Sequence, residues 1–267
     1  MMIECEYVFH DGFILRRDGE WAVVFDYWKD PLGAERIETL VRSGVPVYVV
    51  VSHHHKDHFV PAIFDWCALP CADVHYVISA DVFKFCRHRL NPNTLYQGVR
   101  VPEQRITVIR PGDTVQLGGL TVEAFGSTDL GNSYVITERS SGFTAMHAGD
   151  LNDWLWLDES TPEEVADMEG RFRKILRDIS GAHPRLDLAL FPVDSRIGRR
   201  YWSGAAQLLE AIDVKMFVPM HFGLGDTPEE SARLVGDALR FAEYVPPSSR
   251  ALCCGLTATG DRIALNY

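Results

Sequence analysis

The chain has 267 residues, 46% of them hydrophobic and 24% charged, with a formal net charge of -11. That is length and apolar content for one large globular domain with a sizeable core. The acidic balance excludes the broad basic footprint that nucleic acid or an anionic membrane requires, and no apolar run reaches the roughly 20 residues of a spanning helix.

In chain order, Ile3 to His10, Gly12 to Arg16 and Trp21 to Asp26 read as short strands, with Asp11-Gly12 and Asp18-Gly19 as hairpin turns. Gly33 to Ser43 carries apolar residues at helical spacing and ends before Gly44. Pro46 to Ser52 is a β-branched, apolar strand. His75 to Ser79 is another strand, Ala80 to Leu90 a helix, and Asn91 to Gln104 a Pro- and Asn-rich loop. His75 and His88 read as structural or exposed. Strands resume at Ile106 to Ile109, Thr114 to Leu117, Leu120 to Phe125, Tyr134 to Thr137 and Thr144 to Ala148. Thr161-Pro162-Glu163-Glu164 and Thr227-Pro228-Glu229-Glu230 are helix starts with Pro at the first helical position, opening segments to Ile179 and Tyr244. Between them lie strand Asp187 to Val193, a helix near Ser203 to Ile212 and strand Lys215 to Met220. Arg250 to Cys254 and Arg262 to Asn266 close the chain as strands.

The six cysteines show no staple pattern, and Cys67 and Cys71 read as buried residues on one helical face. Met1 to Arg17 carries Glu4, Glu6 and Asp11 and lacks an uninterrupted apolar region, so a cytoplasmic location is expected.

The strand ending at Val51 runs straight into His53-His54-His55-Lys56-Asp57-His58. In extended backbone His53 and His55 project to the same side and can share one cation. Asp57 and His58 follow on the turn, where they reach a second cation or hold the first ligands in place. Imidazole and carboxylate donors suit zinc, manganese or iron. The competing reading is a solvated histidine-rich loop.

These residues match H-x-H-x-D-H after a strand, and the chain resembles the metallo-β-lactamase superfamily. The resemblance implies an α/β (α+β) fold, a four-layer αββα sandwich of two mixed sheets packed face to face. It is expected as a single domain over 1–267, with related halves at about 1–105 and 106–267. It further implies that Asp150, after Gly149, is a carboxylate bridging two metals, and that His221 completes the second site with Asp57 and His58. His147, in M-H-A-G-D, is expected to support the ligands and not to bind metal. One departure stands out. The turn that normally carries a third histidine reads Phe125-Gly126-Ser127-Thr128-Asp129-Leu130-Gly131-Asn132-Ser133. Asp129 is the preferred substitute there, ahead of Ser127, Thr128 or water, because a charged oxygen competes best for a dication.

The function expected is a metal-dependent hydrolase carrying one or two zinc ions, with manganese or iron as alternatives, and Asp57 as the group that orients a water and takes its proton. Its substrate is expected to be a small ester, lactone or phosphoester, in the manner of the lactonase-like (ascorbate-6-phosphate lactonase) group. Arg196, Arg199, Tyr201 and Trp154 are substrate-binding candidates; the competing reading is a solvated arginine turn with core aromatics. The expected partner is a small molecule, with no nucleic acid or membrane, and homo-oligomerisation is left open. The alternative function is a non-catalytic metal- or ligand-binding module on the same scaffold. A redox di-iron protein would want an acidic residue where His55 stands.

Overall fold

The computed structural model describes residues 2–266. They form two seven-stranded mixed sheets flanked by helices. By contact pattern the chain divides into two compact units, residues up to Arg110 together with Leu256 onward, and Pro111–Gly255.

The first unit opens with an antiparallel meander, β1 (Met2–Phe9), β2 (Gly12–Arg17) and β3 (Trp21–Phe25). Helix α1 (Glu35–Arg42) then leads to β4 (Val47–Val51), which lies parallel to β3. β5 (Val74–Ser79) is followed by helix α2 (Ala80–Phe85) and then by β6 (Ile106–Ile109), each of these strands again parallel to its predecessor. All five residues of β4, Val-Tyr-Val-Val-Val, are buried. That is what a strand covered on both faces demands, and it is why no polar alternation marks this stretch. Val8, Ile14, Val24, Val49, Val51, Phe64, Tyr76 and Ile78 share one core with Ile37 and Val41 of α1.

The second unit repeats this logic. β7 (Thr114–Leu117), β8 (Leu120–Phe125), β9 (Ser133–Glu138) and β10 (Thr144–His147) are antiparallel neighbours. Helices α3 (Pro162–Ala182) and α4 (Ser203–Ala211) alternate with β11 (Arg185–Pro192) and β12 (Asp213–Met220), and the parallel order continues through α5 (Pro228–Arg240) to the short β13 (Leu252–Cys253). The final strand β14 (Arg262–Asn266) returns to the first sheet beside β1. The first unit is therefore discontinuous in sequence.

Both Thr-Pro-Glu-Glu segments cap their helices. In α3 the Thr161 hydroxyl accepts from the Glu164 amide while the Glu164 carboxylate accepts from the Thr161 amide. Three expectations change. α2 stops at Phe85, short of Leu90, where the chain turns so that Arg89 faces inward to Asp65 and the Val99 carbonyl. α5 ends at Arg240 and continues as a 3-10 turn over Phe241–Tyr244. The two cysteines do not share a helical face: Cys67 is half-buried on a 3-10 turn over Pro61–Ala68, and Cys71 is exposed with a positive φ of 62°. Pro70 between them cannot continue a helix.

Candidate metal centre

In the first unit the histidine loop leaves β4 at Ser52, has no regular secondary structure through His55 and turns over Lys56 to His58, and the expected alternation follows. His53 and His58 are fully buried and stand with ring centroids 4.1 Å apart; His55 is half-buried, 4.6 Å from His53. His54 turns the other way, its backbone and ring nitrogens both 2.9 Å from Asp81. It opens on a cavity of about 530 Å³ lined by Lys84, Phe85, Arg87 and His88.

One buried carboxylate organises the two inner histidines. Asp26, just past β3, accepts from the Ser52 amide at 2.7 Å and from the Ser52 hydroxyl at 2.5 Å. With its proton given to Asp26, that hydroxyl accepts from His53 Nδ1 at 2.9 Å. The same carboxylate accepts from His58 Nδ1 at 2.9 Å. Both rings are therefore held through Nδ1 with Nε2 turned the other way, the orientation a metal ligand needs.

Two further residues join the group. His10 and Asp11, on the hairpin between β1 and β2, are both fully buried. Asp11 Oδ2 lies 3.3 Å from His58 Nε2 and 3.6 Å from His10 Nε2, and His10 Nε2 lies 3.7 Å from Asp57 Oδ2. His10, Asp57 and His58 each offer a ligand atom within 4.8 Å of the others.

In the second unit, Gly149 turns the chain after β10 with φ of 51° and delivers Asp150, largely buried. His221 follows β12, also with positive φ, and its Nε2 lies 3.2 Å from Asp150 Oδ1. Its Nδ1 donates to Asp194 at 3.0 Å. Burial alone raises the Asp194 carboxyl; the hydrogen bonds from His221 and Arg196 outweigh it and hold the group down at about 2. Trp154 donates from Nε1 to the Asp150 carbonyl at 2.8 Å and sets its ring edge-on to His221, 5.1 Å between centroids. Asp129 is exposed, and its carboxylate lies within 4.8 Å of an Asp150 oxygen. On the same turn, Thr128 is bonded in both directions to the Asn152 backbone. His147 folds back so that Nδ1 accepts from the Gly149 amide at 3.2 Å, inside its own turn.

The arginine stretch behaves differently from residue to residue. Arg196 grips Asp194 with Nε and Nη2, so its guanidinium sets the carboxylate behind His221. Arg199 is exposed. Tyr201 is buried and spends its hydroxyl on the Asp237 carbonyl at 3.1 Å.

Sequence reasoning missed His10, Asp11, Asp26 and Asp194. His10 hides at the end of a strand and Asp11 in what reads as an ordinary turn. Asp26 and Asp194 each follow an apolar strand, and that shared position was the one signal available. Backbone strain marks two of these: His10 and Asp26, with Trp154 and His221, are four of the six non-glycine residues with positive φ among the described residues.

The donor set of imidazoles and carboxylates, its rings tied through Nδ1 to oxygen, fits a divalent transition ion. The family described as the beta-lactamase superfamily domain matches residues 23–222. The chain belongs to this superfamily. Among solved structures of the superfamily fold, it is similar to Igni18, described as a metallo hydrolase, from Ignicoccus hospitalis, at 16% identity and TM-score 0.60, over 100% of both chains. It is similar also to the metallo-beta-lactamase fold protein YhfI from Bacillus subtilis, at 11% identity and TM-score 0.59, over 98% of this chain and 99% of that one. CmlA, a diiron beta-hydroxylase from Streptomyces venezuelae, is matched at 13% identity and TM-score 0.61 over 99% of this chain but 54% of its own length. No curated protein matches the chain. At these identities the structural likeness speaks for the superfamily fold alone.

Proposed function

We propose that the protein is a metal-dependent hydrolase acting on a small ester, lactone or phosphoester. The observation that carries this reading is the hydrogen-bonding pattern of these histidines. His53 ties Nδ1 to the Ser52 hydroxyl, and His58 and His221 tie theirs to the buried carboxylates Asp26 and Asp194, an arrangement that suits Nε2 to a cation. In the proposal His53, His55, Asp57, His58, Asp150 and His221, with Asp129, hold one or two ions; they are taken together because the superfamily pattern names them together. Zinc suits them first, and manganese or iron accept the same donors. Such an ion lowers the pKa of a water toward neutrality and polarises a substrate oxygen.

Asp57 is the only one of the first unit's carboxylates near His58 that keeps appreciable exposure, 26% of its side chain. That suits it to orient the attacking water and to accept its proton. Lys84 and Arg87 beside His54, and Arg199 and Trp154 in the second unit, are the groups we assign to substrate recognition, which favours an anionic small molecule. Lactonase-like chemistry is our first choice within this class. Among the described residues no helix is long and apolar enough to cross a membrane; with six cysteines that show no staple pattern, a cytoplasmic setting is part of the reading.

The turn without its histidine, Phe125 to Ser133, favours one other reading, a non-catalytic metal- or ligand-binding module. Two measurements separate them. Elemental analysis after metal-supplemented growth is expected to give between about one and two equivalents. On whichever ester, lactone or phosphoester is hydrolysed, Asp57→Asn should lower the rate about a hundred- to ten-thousand-fold with the fold preserved. Equal rates in wild type and variant would remove Asp57 from the mechanism, and metal binding without any turnover favours the module.

A further inference from the structure

We propose that His10, Asp11, Asp57 and His58 form a four-donor seat for one divalent cation, built entirely within the first unit. The inference rests on the metal-binding reading above, and it assigns to the β1–β2 hairpin ligands that the histidine motif does not contain.

Three donor separations suit a metal seat. The His10 Nε2 separations of 3.6 Å from Asp11 and 3.7 Å from Asp57 are too long for hydrogen bonds. They are close to the edge of a coordination tetrahedron. With metal–nitrogen and metal–oxygen bonds of about 2.0–2.2 Å, neighbouring donors stand about 3.3–3.6 Å apart. The 3.3 Å from His58 Nε2 to Asp11 falls in the same range. His58 gives a second argument: Asp26 engages its Nδ1 at 2.9 Å, which leaves Nε2 as the ring atom that faces the Asp11 carboxylate.

The backbone is arranged for this placement. The β1–β2 pairing shifts register between Tyr7 and Phe9, a bulge that re-aims the residues beyond it. His10 then takes φ of 59°, a left-handed conformation uncommon for a non-glycine residue, and its amide is held by the Tyr7 hydroxyl at 2.8 Å. Gly12 closes the turn where a Cβ would meet the Phe9 carbonyl oxygen at 3.0 Å. His10, Asp11 and His58 are stripped of solvent, and Asp57 alone is partly open. The seat thus has three closed sides and one accessible side, the shape of a site that admits a water or a substrate atom.

The test uses the full chain loaded with zinc or manganese. Anomalous diffraction at the metal edge should show a peak within about 2.0–2.2 Å of His10 Nε2 and of an Asp11 carboxylate oxygen. Peaks that all lie beyond about 3 Å from both residues overturn the seat. In parallel, His10→Gln and Asp11→Asn should each lose about one equivalent of bound metal, or at least tenfold in affinity against a chelator, with circular dichroism unchanged. Unchanged metal content and affinity in both variants also overturn it, and where a variant fails to fold the wild-type map decides. The two readings fail differently. Metal at His10 without hydrolysis of any substrate keeps the seat and removes the hydrolase; a wild-type protein that takes up no metal removes both.

Discussion

Asp26 shows how much a single side chain outside the recognised motif does. Its two oxygens accept from Ser52 twice and from His58 once, and through Ser52 it reaches His53. The group is buried, so each of these bonds is made in a low-dielectric surrounding where a missing partner is costly. Asp26→Asn keeps the shape but replaces one acceptor oxygen by a donor, which sets that donor against the Ser52 amide or against the Ser52 hydroxyl and His58 Nδ1 together. Metal affinity should fall about ten- to a hundredfold, the usual cost of losing a carboxylate behind a ligand histidine. Competition against a chelator measures it; an unchanged dissociation constant would mean that the histidines hold their orientation without Asp26.

At the scale of elements, the turns that carry donors are locked by close packing from a neighbouring helix. The turn after Asp150 is one case. Asn152 and Asp153 lie against Gly204 of α4, where an added Cβ would sit 2.0 Å from Asn152 Oδ1 and 3.1 Å from the Asp153 amide nitrogen. Asn152 cannot move aside cheaply, because its side chain accepts from the Asp153 amide and its backbone is bonded both ways to Thr128. Gly204→Ala should therefore destabilise the protein by about 1–3 kcal/mol, despite the better helix propensity of alanine. A thermal melt reads this directly, and an unchanged or raised Tm would show that the turn yields.

For the whole molecule, one buried acid makes stability depend on pH. Burial pushes the Asp153 carboxyl up to about 6 from 3.8, against the Ser203 hydrogen bond and the Arg200 charge that lower it, with Glu169 adding to the rise. Gln207 donates to its Oδ2 at 3.0 Å. A carboxyl raised in the folded state holds its proton longer than in the unfolded chain. Its contribution to stability is full below about pH 4 and is lost as pH rises to about 6. Asp153→Asn should remove this loss, stabilising the protein above pH 6 by on the order of 2 kcal/mol and flattening the profile between pH 4 and 6. Denaturant melts across that range test it, and parallel profiles for wild type and variant would contradict the assignment.

The sequence by itself determined the strands, the capped helices and the histidine motif, because each is encoded by neighbours: β-branched runs, Thr-Pro-Glu-Glu starts, and alternation that sends His53 and His55 to one side and His54 to the other. Superfamily and fold class were legible from H-x-H-x-D-H followed by Gly149-Asp150 and His221 in order. Only the tertiary structure decided what surrounds the candidate ligands. Asp26 stands 32 residues from His58, and Asp194 stands 27 from His221. A lone Asp after a strand carries no local sign of the histidine it will meet. His10 reads as the end of a strand and Asp11 as a turn residue, because strand ends, turns and donors share residue types, and the register shift in β1 that precedes them is a pairing between strands. The same holds for the last strand, whose place beside β1 is a long-range pairing that periodicity cannot express.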